Sequence, residues 1–153
     1  MWVAPEIKDP ALRHASTRQS VACFGAVNLC SGVFVRTFCA VFNAETFQDF
    51  LRRLLRHRST RKRMIIVLDN ARYHHARLLA AFLRKYRRVL SLLFLPSYSP
   101  QLASIERVWK LARRLATHNR YFATLAELLQ VVSACFDAWR RPNPVLRRLC
   151  CII

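Results

Sequence analysis

The 153-residue sequence predicts a single α/β domain, and three stretches carry that expectation. "MIIVLD" (64–69) and "LSLLFLP" (90–96) are short apolar runs of strand length, and the residues between them show helical spacing. Strand, helix, strand is the pattern of a parallel pair joined by a crossover. The third stretch, "SVACFGAVNLCSGVFVRTFCAVF" (20–42), is two β-rich runs around a turn near Ser31 and Gly32, which reads as a hairpin. The length suits one domain with a real core and is too short for two.

The remaining elements follow in order. Residues 1–20 contain Pro5 and Pro10 and little periodicity, so they read as an irregular lead-in. After the hairpin, Asn43 has the chemistry of a helix N-cap, and Phe47, Phe50, Leu51, Leu54 and Leu55 recur at three-and-four spacing behind it. "RSTRKR" (58–63) is a basic loop leading into the "MIIVLD" run, read as a buried strand. The crossover helix carries Leu78, Leu79, Phe82, Leu83 and Tyr86. Ser99 and Pro100 open the next helix as N-cap and first-turn proline, and it runs to about Thr117. A last helix starts at the capping box "TLAE" (124–127) and buries Leu128, Leu129, Val132, Phe136 and Trp139.

Composition removes whole classes of function. Gly25 and Gly32 are the only glycines, so neither a phosphate-cradling loop nor a dinucleotide fingerprint can be built. Twenty-six Lys and Arg oppose 8 Asp and Glu, a formal charge of +18 that repels itself unless a polyanion neutralises it. Nucleic acid is the expected partner. Lysine occurs only at Lys8, Lys62, Lys85 and Lys110, and the arginines that make up the rest offer a fork suited to phosphate. The six cysteines contain no C-x-x-C pair and read as reduced core thiols of a cytosolic protein, with Cys150 and Cys151 in a frayed tail. No apolar run of about 18 residues is present, so a membrane is not an expected partner.

The chemistry concentrates in "IIVLDNARYHHA" (65–76), where an apolar strand stops on a carboxylate. A strand ending at Asp69 delivers that group to the sheet edge at which α/β proteins bind ligands. In "PQLASIERVWKLARRLA" (100–116), Leu102, Ile105, Trp109 and Ala112 form one stripe, with Glu106 at its border. A salt bridge from Glu106 to Arg72, Arg107 or Arg113 is one reading. Convergence of Asp69 and Glu106 on a hard divalent cation, Mg²⁺ or Mn²⁺, is the other. In so basic a chain, such a cation beside a phosphodiester forms a coherent site. Asp9 precedes Pro10 with no apolar strand to deliver it, and Asp49 and Asp137 fall on solvated helix faces. His74 and His75 lack the partners of a zinc site.

These two segments resemble the catalytic half of the DDE transposases of bacterial insertion sequences, related to the mariner-like group. The family's D-N-x-x-x-H segment is matched by Asp69, Asn70 and His74, and its S-P-x-L-N-P-I-E-x-x-W segment by Ser99, Pro100, Leu102, Ile105, Glu106 and Trp109. Ala103 and Ser104 replace the family's Asn-Pro. The resemblance implies an RNase H-like mixed sheet flanked by helices, with Asp69 and Glu106 as catalytic metal ligands for transposon-end cleavage and strand transfer. It places the family's first aspartate on a central strand upstream of Met1, since residues 2–5 resemble the segment that follows that strand. The 153 residues then form one partial catalytic domain, inactive alone. The alternative is a non-catalytic DNA-binding remnant or modulator of a full-length transposase. Arg61, Lys62, Arg63, Arg72, His74 and Tyr98 are the expected DNA contacts, in a bacterial, nucleoid-associated protein. A homodimer or association with a full-length transposase is the expected assembly.

Overall fold

The hairpin forms from alternating apolar side chains that serve two layers at once. Ala22–Val27 (β1) and Phe34–Cys39 (β2) pair antiparallel, with Phe24 opposite Thr37 and Val27 opposite Phe34. Asn28 closes the turn by accepting from the amides of Cys30 and Ser31 at 2.9 and 3.1 Å. Gly32 sits at φ 72°, where a Cβ would strike the carbonyl of Asn143. This is a computed structural model, and it describes residues 20–96 and 103–151. The expected irregular lead-in, with Asp9 and residues 2–5, lies outside the described residues, as do Tyr98, Ser99, Pro100 and Leu102.

Ala44–Arg56 (α1) begins as the sequence predicts: Asn43 Oδ1 accepts from Thr46 N at 2.8 Å, and Thr46 Oγ1 accepts from Asn43 N at 3.1 Å. Its Phe47, Phe50, Leu51 and Leu54 are buried against Phe24 and Val35 on one face of the hairpin. The same core takes in Met64–Leu68 (β3), Leu78–Tyr86 (α2) and Leu90–Phe94 (β4). β3 and β4 are parallel, with Met64 opposite Leu90 and Leu68 opposite Phe94, so the expected crossover is present. Leu79 and Phe82 of α2 face inward, whereas Leu78 is exposed.

β3 is not the fully buried strand that its composition suggested. Met64, Ile66 and Leu68 pack inward, but Ile65 is 64% exposed, Val67 46% and their neighbour Leu93 55%. A pleated strand sends alternate residues to opposite faces, and here only one face meets described helices. The described residues form two two-stranded sheets around α1, and among them no ladder joins β1 to β3.

The second layer covers the other face of the hairpin. Ser104–Ala112 (α3) continues as a π-helical turn, Arg113–Thr117, so the expected end near Thr117 is met with a change of winding. Leu125–Asp137 (α4) starts at Thr124, whose hydroxyl accepts from Glu127 N at 3.2 Å. Glu127 reaches back to Ala123 N, one residue before the partner a capping box prescribes. In α4, Phe136 is buried, with Trp139 buried just beyond it; Leu128, Leu129 and Val132, also expected in the core, are only partly buried. A further helix, Pro144–Cys150 (α5), was not anticipated, although Asn143 caps it and Pro144 sits in its first turn. Cys150 is consequently fully buried instead of lying in a frayed tail, while Cys30 and Cys151 are exposed and not core thiols.

Candidate active site at the end of β3

The abrupt stop after Leu68 has a structural cause. Leu68 O accepts from Leu95 N at 2.8 Å, and Asn70 Nδ2 donates to Leu95 O at 2.7 Å, so the chain leaving β3 is latched to the chain leaving β4. Asp69 stands at this latch with its side chain 73% exposed. The 3₁₀ turn Arg72–His75 then brings His74 back under the aspartate. His74 Nδ1 lies 3.0 Å from Asp69 O and 3.2 Å from Asp69 Oδ1.

His74 is wedged against Phe47 and Tyr73, each ring centroid 4.3 Å away. Burial pushes its pKa below the usual histidine value, against the opposing pull of the Asp69 carbonyl and carboxylate. Burial thus favours the neutral ring, which meets Asp69 through a hydrogen bond. Both Asp69 oxygens are acceptors, so Nδ1 carries the proton. Ala71 N adds a bond to Asp69 Oδ1 at 3.3 Å. One carboxylate oxygen is held and the other faces outward.

Glu106 lies in the first turn of α3. No side chain caps this helix at Ala103, whose ψ of 88° is not helical, so α3 starts at Ser104 and is not opened by Ser99 and Pro100 as the sequence predicts. α5 fastens the turn instead: Ser104 Oγ donates to Cys150 O at 3.1 Å and Arg107 Nη1 to Leu149 O at 3.0 Å. Val108, absent from the expected stripe, is fully buried, and Trp109 lies edge-on to Phe34 with centroids 5.6 Å apart. Trp109 also covers Gly25, where a Cβ would come within 2.5 Å of its ring. Glu106 itself is exposed rather than bordering the packed face. Of its expected ion-pair partners, Arg107 is occupied by α5, and no described residue forms a salt bridge with Glu106.

Two exposed carboxylates on well-held elements suit Mg²⁺, which is commonly bound by one or two carboxylates and keeps several waters. Among the described residues no cluster of three or more His, Cys, Asp or Glu exists. Asp49 pairs with Arg52, and Asp137 with Arg36 at 3.0 Å, both away from the site on solvated faces. Arg72 is exposed on the 3₁₀ turn, whereas His74 is buried and faces Asp69. Arg61, Lys62 and Arg63 precede β3, so about 20 Å of extended strand separates Arg63 from Asp69.

Sequence comparison matches residues 2–129 to the DDE superfamily endonucleases. Among solved structures, one similar chain comes from "Crystal structure of the Mos1 Strand Transfer Complex", with a TM-score of 0.68 and 20% identity. The alignment covers 98% of this chain and 44% of that one, so the present chain spans under half of its relative's length. No curated protein gives a significant match. The likeness shows the α/β, RNase H-like fold, and by the match over residues 2–129 the chain belongs to the DDE superfamily endonuclease family.

Proposed function

We propose that this chain is the second-aspartate and glutamate part of an insertion-sequence transposase catalytic domain. In that role Asp69 and Glu106 bind Mg²⁺ or Mn²⁺ for phosphodiester cleavage at transposon ends and strand transfer. The observation that supports it most is the fixed, outward-facing carboxylate of Asp69, latched through Asn70 and held by the His74 ring. A divalent ion bound there would activate a water or hydroxyl and stabilise the leaving oxygen. The chain's own contribution is placement: His74 fixes the carboxylate, the α5 contacts hold the turn that carries Glu106, and Arg72 stands exposed to meet phosphate.

A second reading for the chain acting alone, supported by its formal charge of +18, is that of a DNA-binding partner of a complete transposase. The experiment compares Mn²⁺-dependent nicking of supercoiled DNA by the 153-residue chain and by a form extended with the residues encoded immediately upstream. Nicking by the extended form alone, abolished by Asp69→Asn, is expected. Equal nicking by the short chain would mean that another acid within it, Asp9 first, completes the site, and nicking that survives Asp69→Asn would remove the catalytic assignment.

A further inference from the structure

A second charged surface lies at the opposite pole of the parallel strand pair from Asp69. The loop before β3 contributes Arg61, Lys62 and Arg63, and the end of α2 with the junction to β4 contributes Arg84, Arg87 and Arg88, all exposed. The two segments are fastened together: Arg63 Nη2 donates to Arg87 O at 3.1 Å and Met64 N to Val89 O at 2.8 Å. The loop is organised from within by Arg58, whose Nη1 donates to the carbonyls of Ser59, Thr60 and Lys62 at 2.8, 3.1 and 2.8 Å. No acidic residue occurs between Asp49 and Asp69 or between Asp69 and Glu106, and none of these six cations forms a salt bridge among the described residues.

Holding six like charges on one tied surface opposes folding through self-repulsion unless an external polyanion offsets it. Arg58 and Arg63 spend donors on main-chain oxygens, which fixes the loop and leaves Arg61, Lys62, Arg87 and Arg88 directed to solvent. We propose that this pole is a separate docking surface for the backbone of duplex DNA, about 20 Å along the strands from the phosphodiester at Asp69. It grips a stretch of DNA other than the one being cut. This rests on the reading that the chain acts on DNA, and it adds a second, sequence-tolerant contact that the carboxylates do not need.

The test measures binding of a random-sequence duplex by fluorescence anisotropy across a salt series. Variant one carries Arg61→Ala, Lys62→Ala, Arg87→Ala and Arg88→Ala. Variant two removes as much charge from the helical layer, with Arg113→Ala, Arg114→Ala, Arg120→Ala and Arg148→Ala. Each lost phosphate contact lowers the slope of log K against log salt by about 0.9, so variant one should lose about 3 to 4 and variant two much less. Mn²⁺ binding should be equal in both, and both should melt with the parent. Equal losses in the two variants, or none in variant one, would overturn the docking surface and leave the functional reading standing. A parent that binds no duplex, or prefers single-stranded RNA, would overturn both.

Discussion

Replacing Gly25 with alanine tests how the hairpin sets the position of Glu106. The added Cβ would lie 2.5 Å from Trp109 Cη2, 2.7 Å from Cζ2 and 2.9 Å from Phe34 Cζ. Carbon contacts relax near 3.5 to 4.0 Å, so the indole must retreat by about 1 Å. It has little room, because Phe34 and Phe136 flank it at centroid distances of 5.6 and 5.9 Å. Overpacking of this kind costs about 1–3 kcal/mol. For a chain of this size, each kcal/mol lowers Tm by about 2–4 °C, so Gly25→Ala should melt about 2–12 °C lower. Glu106 precedes Trp109 by less than one helical turn, so the shift of α3 carries the carboxylate and should weaken divalent binding as well. Thermal unfolding by circular dichroism and Mn²⁺ titration read the two effects. Trp109→Phe on the Gly25→Ala background, which shortens the ring, should recover part of both. A Gly25→Ala protein that melts and binds Mn²⁺ like the parent would refute the docking of α3 through Trp109.

Further outcomes follow from the same geometry. His74→Phe keeps a ring between Phe47 and Tyr73 but removes the donor to Asp69, and it should weaken Mn²⁺ binding about 10–100-fold. His74→Asn restores a donor while losing packing, so it should bind metal better than His74→Phe yet melt lower; the reverse order would make His74 a packing residue only. Cys30 and Cys151 are exposed and should react with a thiol reagent in the folded protein, whereas Cys23 should react only on unfolding. Burial pushes the Cys23 thiol up from 9.0 to about 11, so folded Cys23 keeps a proton that the unfolded chain releases. Its contribution to stability is complete below pH 9.0 and is lost as pH rises through about 11, and Cys23→Ala should flatten that alkaline decline.

Local signals carried much of this architecture. Asn43 was legible as a cap, and the 64–69 and 90–96 runs as a parallel pair, because caps and short apolar strands depend on neighbouring residues. The place of Asp69 at the end of β3 was legible for the same reason. What escaped was set by distant contacts. The exposed outer face of β3 depends on what packs there, not on the composition of "MIIVL". α5 carries its cap and first-turn proline openly, but its role in holding Ser104 and Arg107 required the fold. Likewise the burial of the His74 ring beneath Asp69 is set by the fold and is not written in the local sequence.

The central claim is that Asp69 and Glu106 together hold a divalent cation. Mn²⁺ titration of the 153-residue chain, followed by the electron paramagnetic resonance of free Mn²⁺, measures this without requiring cleavage. Two carboxylates fix an ion less firmly than three, so binding on the order of millimolar is expected, weakened by Asp69→Asn and by Glu106→Gln and lost in the double variant. Unchanged Mn²⁺ binding by a folded double variant would place the metal elsewhere and contradict the site.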